Sequence, residues 1–203
     1  MHTTNSADGH SADGKWADRG RTDTTEPADP HSLETGRLTL RPHTLDDFGD
    51  SAALWGDPAV TRFIGGRPFT PEEVWARLLR HAGHWTLLGY GSWVVRERAS
   101  GVFVGEVGLM DAHRELTPPL DAPEMGWVLS PAAHGQGYAT EAVNAALTWA
   151  ESHFGHTRVV CIVSPENVAS MGVAHKCGFQ EAGRATYHGE TVLRLARPQE
   201  RGQ

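Results

Sequence analysis

The chain has 203 residues, 39% of them hydrophobic, and a formal net charge of −7, which suits one domain of ordinary size. An acidic balance without a lysine or arginine block disfavours nucleic acid as a general partner. Two cysteines are too few for a disulfide framework or a four-cysteine zinc site, and no apolar run approaches the ~18 residues that cross a membrane.

The first 32 residues are rich in Asp, Thr, Ser, Gly and Ala and show almost no apolar pattern. Such a composition buries too little apolar surface to fold, so residues 1–32 are predicted to be a disordered tail. The segment also lacks the apolar stretch of a secretion signal, and we expect a cytoplasmic protein. Residues 33–198 are predicted to form the domain, and 199–203 a short C-terminal tail.

The first half of the domain is predicted to contain a strand, two helices and a hairpin. Leucines at 38 and 40 alternate with polar residues, as in a half-buried strand. Thr70–Glu73 places a capping residue, a proline and two acids where a helix begins. The second helix is expected to bury Val74, Trp75, Leu78 and Leu79. The predicted elements are a strand at 33–42, helices at 45–56 and 70–83, strands at 91–95 and 102–110, and a loop at 111–123.

The second half begins with a strand, a glycine loop and a helix. Glu124–Leu129 is short and apolar, and residues 140–154 place apolar side chains at helical spacing. Between them, Gly135 and Gly137 lack Cβ atoms, so their backbone can approach a phosphate closely. This layout turns backbone N–H groups and the positive end of a helix toward an anion, although a plain tight connection is the alternative. A strand at 158–163, a helix at 165–177 and strands at 179–184 and 191–195 complete the prediction.

Two motifs carry a resemblance to a known family. Residues 134–139, HGQGYA, resemble the pyrophosphate loop of the GNAT superfamily of acyl-CoA-dependent N-acyltransferases, with His134 where Gln or Arg is usual. Residues 167–179 are similar to the second motif of the family, N-x-x-S-x-x-x-x-x-K-x-G-F. The likeness is nearest to the RimJ/RimL branch and covers roughly residues 33–197. It implies an α/β (mixed α+β) fold with a twisted, mostly antiparallel mixed sheet of six to seven strands and helices on both faces.

The resemblance implies acetyl-CoA as the co-substrate and no metal. In the family, the strands equivalent to 127–129 and 159–163 splay apart, and the pantetheine arm enters that gap. A backbone N–H near Val128 would then polarise the thioester carbonyl. The implied cofactor-binding residues are Trp127, Val128, Leu129, His134, Gly135, Gln136, Gly137, Tyr138, Ala139, Thr140, Asn167 and Ser170.

Three residues are candidates for proton transfer. Glu124 and Glu106 are the candidate bases, with a carboxylate that has no catalytic part as the alternative for each. Many family members place a tyrosine acid where this chain has Ala174, and the likeness to the RimJ/RimL branch points to Ser170 instead. Plain capping of the helix is the alternative for both Ser170 and Asn167.

The acceptor is expected to be a primary amine on a small molecule or a protein N-terminus. An α-amine with a pKa of ~7.7–8 is roughly a quarter neutral at physiological pH, whereas a lysine-type amine at ~10.4 is about 0.1% neutral. The α-amine therefore needs about 3–4 kcal/mol less help from a base. The sequence leaves a homodimer open. The candidate acceptor-site residues are Phe63, Ile64, Trp75 and Trp85, each with plain core as the alternative.

Two other functions are alternatives that the sequence offers. A non-catalytic acyl-CoA sensor is motivated by the missing tyrosine, and a nucleotide-dependent oxidoreductase is disfavoured because Thr140 stands where its third glycine belongs. The histidine pairs 81/84 and 153/156 have metal-like spacing but no fitting acid or cysteine partners. They are therefore interpreted as solvated or capping residues.

Overall fold

The structure is a computed structural model that describes residues 29–155 and 158–198. Most of the predicted N-terminal tail, residues 1–28, lies outside the described residues, as do the predicted C-terminal tail 199–203 and His156. No helix in the described ranges is long and apolar enough to cross a membrane.

Nine strands form one sheet in the described part of the chain. Their order is β1-β2-β3-β4-β6-β7-β9-β8-β5, and every neighbouring pair is antiparallel except β6 and β7. The mixed, mostly antiparallel sheet is confirmed, but the predicted count of six to seven strands was too low. Two strands are only two residues long, too short for an alternating pattern to show them. The strands are β1 Leu33–Glu34, β2 Leu38–Pro42, β3 Ser92–Glu97, β4 Phe103–Met110, β5 Leu116–Thr117, β6 Glu124–Leu129, β7 Val159–Val163, β8 Gln180–Tyr187 and β9 Glu190–Arg197.

Five α-helices lie in the described ranges. The third begins with a capping box between Thr70 and Glu73, as its sequence predicts. Its predicted end near Gly83 was wrong: it continues to Leu88 and stops at Gly89, which has a φ of 73°. A glycine inside a helix is tolerated at a cost of about 1 kcal/mol, so Gly83 alone does not end it. The helices are α1 Phe48–Trp55, α2 Pro58–Thr61, α3 Pro71–Leu88, α4 Tyr138–Phe154 and α5 Val168–Lys176.

The sheet carries an apolar cluster on each face. One is built from α4 and the strands beneath it, and the other lies under α1 and α3 around Trp55 and Val74. On α3, Val74 and Leu78 are buried as expected, but Trp75 and Leu79 are 41% and 49% exposed. The expectation for these two was wrong because only one stripe of a surface helix faces the core.

Candidate active site

The glycine loop is built as an anion site. Gly135 and Gly137 have φ values of 74° and 80°, which only glycine adopts without strain. Gly137 is the N-cap of α4, and because it has no side chain, the first backbone N–H groups of this 17-residue helix receive no side-chain cap. Residues 134–137 are exposed, so these donors and the positive end of the helix are open to a phosphate group.

A residue distant in sequence holds the loop in place. The Arg37 Nη1 atom donates to the carbonyl oxygen of Gln136 at 2.9 Å, and its Nε donates to Glu141 on α4 at 2.7 Å. Its guanidinium also lies 4.5 Å from the ring centre of Tyr138, whose hydroxyl donates to Glu97 at 2.8 Å. The Tyr138 side chain is therefore structural, and only its backbone N–H faces the loop. Sequence reasoning missed Arg37.

Strands β6 and β7 meet at one point and then separate. Their only register pair in the described residues is Glu124 with Val160, so Trp127–Leu129 has no partner in β7. Ser130 donates its backbone N–H to Val104 in line with the β4 register, and Val160 donates to Pro123. By the alternation of an antiparallel ladder, the N–H of Val128 thus faces β4, whereas those of Trp127 and Leu129 face the gap. The amide expected near Val128 is that of a neighbouring residue.

The second motif lies beside the first. The Asn167 side-chain oxygen accepts the backbone N–H of Ser170 at 3.1 Å and so caps α5, which begins at Val168 instead of the predicted Pro165. No hydrogen bond of the Ser170 hydroxyl occurs among the described residues. Cys177, at the end of α5, directs its thiol to the carbonyl oxygen of Thr140 at 3.9 Å, which brings α5 against the first turn of α4.

Both candidate bases are buried and held by cations or donors. Glu124 is 4% exposed, and the Nε of Arg114 donates to its carboxylate at 2.6 Å. Glu106 is 5% exposed and accepts hydrogen bonds from Ser51 Oγ at 2.7 Å and Trp55 Nε1 at 3.0 Å. Glu124, Glu106 and Val128 all face α1 and α3, because side chains alternate along each strand and Glu106 lies opposite Val128.

Two buried histidines complete the surroundings of Glu106. The Nε2 atoms of His43 and His81 lie 3.4 and 3.8 Å from its two oxygens. Burial acts to raise the pKa of Glu106, but the nearby Nε2 atom of His43, with smaller contributions from His81 and Arg77, outweighs it and lowers that pKa. Glu106 is therefore a carboxylate that gives up its proton readily and accepts one poorly.

The interpretation of His81 and His84 as solvated or capping residues was wrong, since they are 5% and 9% exposed. With Glu106, His43 and His81 form a cluster with metal-ligand atom types. However, the two rings are stacked at 4.7 Å with planes only 19° apart. An ion must lie in the plane of each imidazole that binds it, and two offset, nearly parallel planes cannot share one ion. The cluster therefore does not fit a metal.

A cavity of about 240 Å³ opens between α3, the segment after β4 and the turn between β8 and β9. None of the predicted acceptor-site residues lines it. Trp85 packs between Trp93 and Trp149 in the core on the α4 side, and Ile64 packs against the cluster around Trp55 and Val74. The lining residues are Arg77, Arg80, His81, His84, Met110, Ala112, His113, Arg114, Glu115, Tyr187 and His188.

Comparison with known proteins gives consistent results. A family model described as an acetyltransferase (GNAT) domain matches residues 37–180. The FsC-acetyl coenzyme A-N(2)-transacetylase of Aspergillus fumigatus is 32% identical over 155 residues, which are 73% of this chain and 64% of that protein. The structure of a GNAT-family acetyltransferase from Bordetella pertussis covers 82% of this chain and 99% of its own, with 29% identity and a TM-score of 0.73.

The ribosomal-protein-S5-alanine acetyltransferase of Vibrio fischeri is similar in fold, with a TM-score of 0.68 over 85% of this chain and 98% of its own. Its identity is 21%, so it shows the fold alone, and the RimJ/RimL branch stays a prediction. The family model spans well over half of the chain. The chain therefore belongs to the GNAT family of acetyl-CoA-dependent acetyltransferases.

Proposed function

We propose that this acetyltransferase moves the acetyl group of acetyl-CoA onto a primary α-amine, on a small molecule or at a protein N-terminus as in the RimJ/RimL branch. The observation that carries the proposal is the gap between β6 and β7, which opens directly beside the glycine loop. A diphosphate on the loop and a thioester in the gap are the two ends of one extended molecule.

The loop residues Gly135–Thr140 hold the diphosphate through backbone N–H groups. His134 and Gln136 shape the loop, since their side chains bond the carbonyl oxygens of Leu129 at 3.1 Å and Ala132 at 3.0 Å. Acetyl-CoA supplies the activated acyl group. The amides of Trp127 and Leu129 bind the pantetheine arm and the thioester carbonyl, where negative charge develops during transfer. The unused side-chain N–H₂ of Asn167 is a further donor to the arm.

The amine has to lose a proton before it attacks, and each candidate carboxylate is already engaged by other groups. Glu124 is paired with Arg114, and the pKa of Glu106 is lowered. An amine that is already partly neutral at physiological pH suits such a site, which favours an α-amine over a lysine-type amine. Glu124 helps to order the groups through which the proton of the amine leaves. Glu106 holds β4 in register opposite Val128. The Ser170 hydroxyl donates a hydrogen bond to the departing thiolate and passes on to it the proton that the attacking amine releases, so serine itself is left neutral. Because a thiol has a pKa of only ~8.5, the thiolate is a stable leaving group and needs little help.

Mass spectrometry after incubation with isotopically labelled acetyl-CoA tests the proposal. The panel pairs a peptide with a free N-terminus with the same peptide blocked at its N-terminus but carrying a lysine. We expect label on the α-amine of the first peptide and little on the second. Preferential labelling of lysine would contradict the α-amine assignment.

A non-catalytic acyl-CoA sensor is the second candidate, favoured by the buried Ala174 in place of the tyrosine acid and by the pairing of both carboxylates. Calorimetry with CoA, together with an assay for released thiol, separates the two functions. Tight binding of CoA with no release of free thiol on any amine would support the sensor.

A further inference from the structure

The cavity beneath α3 concentrates positive charge in an acidic protein. The whole chain has a formal charge of −7, yet Arg77, Arg80 and Arg114 all line this one space of about 240 Å³, against one acidic lining residue, Glu115. The Tyr187 hydroxyl, which accepts a hydrogen bond from Arg114 Nη1 at 3.0 Å, lines it as well. Such a composition is unexpected for a wall that binds only a cationic polyamine.

Two of the three arginines lack an acidic partner. Arg114 is paired with Glu124, but neither Arg77 nor Arg80 forms an ion pair within residues 29–155 and 158–198. Arg77 lies 3.7 Å from the ring centre of Trp55, and its buried Nε has no hydrogen-bond partner there. A buried donor without a partner is unfavourable, and an acceptor atom of a ligand that reached it would relieve that cost.

The arginines also disfavour one another's charged form. Burial is the largest cause that lowers the pKa of Arg77, to about 10, and the charges of Arg80 and Arg114 add to it while Glu106 opposes them. Burial and the charge of Arg114 likewise lower the pKa of Arg80. An anion between these groups relieves both effects.

The cavity adjoins the reaction gap. His81 lines the cavity and lies 3.8 Å from Glu106, whose register partner is Val128. Little protein separates the cavity from strand β6. Met110, which lines the cavity, packs so closely on this strand that a Cβ atom added to Gly126 would lie 2.9 Å from its Cε atom. Strand β6 rises roughly 13 Å between Glu124 and Val128. A group bound in the cavity is therefore separated by several bonds from an amine that reacts at the thioester.

Building on the proposed function, we infer that the acceptor carries an anionic group, a carboxylate or a phosphate, separated by several bonds from its reactive amine, and that Arg80 and Arg77 bind this group in the cavity. Guanidinium groups present paired N–H donors that match the oxygens of either anion. This assignment excludes polyamines as preferred acceptors and selects amines such as short acidic peptides.

Steady-state kinetics with matched acceptors tests the inference. Triglycine and triglycine amide share one α-amine and differ only in the terminal carboxylate, and a diglycine amide of phosphoethanolamine provides the phosphate arm. For the wild type we expect kcat/KM to be about tenfold higher for an anionic acceptor than for triglycine amide, equivalent to about 1.4 kcal/mol. The better of the two anionic acceptors identifies the anion.

Arg80→Gln should remove this preference, so that triglycine, its amide and the phosphate acceptor react with similar kcat/KM. Arg80 is exposed, and its side chain forms no hydrogen bond to another described residue, so the variant should fold. Arg184→Gln, which changes an exposed arginine of β8 outside the cavity, should keep the preference. Equal wild-type rates on all three acceptors, or a preference that survives in Arg80→Gln, would overturn the inference and leave the proposed function standing. A wild type that acetylates none of them would instead overturn the proposed function.

Discussion

Glu106→Gln distinguishes a structural carboxylate from a catalytic base. Glutamine has the same shape: its oxygen can still accept from Trp55 and its N–H₂ can donate to Ser51, so the variant removes mainly the charge. The variant also removes a charged oxygen that lies 3.4 Å from the Nε2 atom of His43. A hydrogen bond to a charged group contributes about 1.5–3 kcal/mol and one between neutral groups about 0.5–1.5 kcal/mol, so weakening both bonds should cost about 2 kcal/mol at pH 7.

Urea denaturation followed by tryptophan fluorescence measures this loss. Because the pKa of Glu106 is lowered in the folded state, its contribution is complete well above its ordinary value of 4.5 and declines as the pH falls below it. The difference between wild type and variant should therefore shrink from pH 7 to pH 3.5. Glu34→Gln, which removes an exposed ion pair with Arg98, serves as the control and should change stability by less than 1 kcal/mol. Equal stability of wild type and Glu106→Gln, combined with a lost kcat, would refute the structural role.

Three further predictions concern the reaction itself. Gly137→Glu should abolish CoA binding in calorimetry by placing an anion in the phosphate site; Gly101→Glu, at a hairpin turn with a φ of 73°, carries similar backbone strain and should bind normally. Near-normal affinity of the first variant would show that the loop does not hold the diphosphate. Ser170→Ala should lower turnover at unchanged CoA affinity, and an unchanged rate would remove Ser170 from the chemistry. The pH at which kcat/KM levels off should follow the amine pKa of each acceptor, and a fixed pH for all acceptors would instead indicate an enzyme base.

The parts of the site that are local in sequence were predictable. The glycine loop, its helix and the strand before it form one continuous stretch, so spacing alone placed Gly135 and Gly137 at the start of α4. The separation of β6 from β7 was expected only through the resemblance, since no pattern within either strand shows where pairing stops. The direction of the Val128 amide could not be predicted, because it depends on the register with β4.

The parts assembled from distant segments were not predictable. Arg37 reaches the loop from 99 positions away, and nothing near it in sequence marks this contact. Trp85 lies beyond the predicted helix end at Gly83, so apolar spacing did not show that it packs on the α4 core. Arginines on an amphipathic helix ordinarily indicate a solvated face, which concealed Arg77 and Arg80.

The same arginines bear on how the amine loses its proton. An ammonium group that approaches the gap from this cavity meets the positive charges of Arg77 and Arg80, which disfavour its protonated form. Each unit by which its pKa falls is equivalent to about 1.4 kcal/mol, so a fall of one unit already converts a quarter-neutral α-amine into a mostly neutral one. The anionic end of the acceptor offsets this repulsion only if it lies closer to the arginines than the amine does. The cavity therefore favours an acceptor whose anionic group and amine are far apart. The arginines then bind the anionic group, while their positive charge lowers the pKa of the amine at the other end.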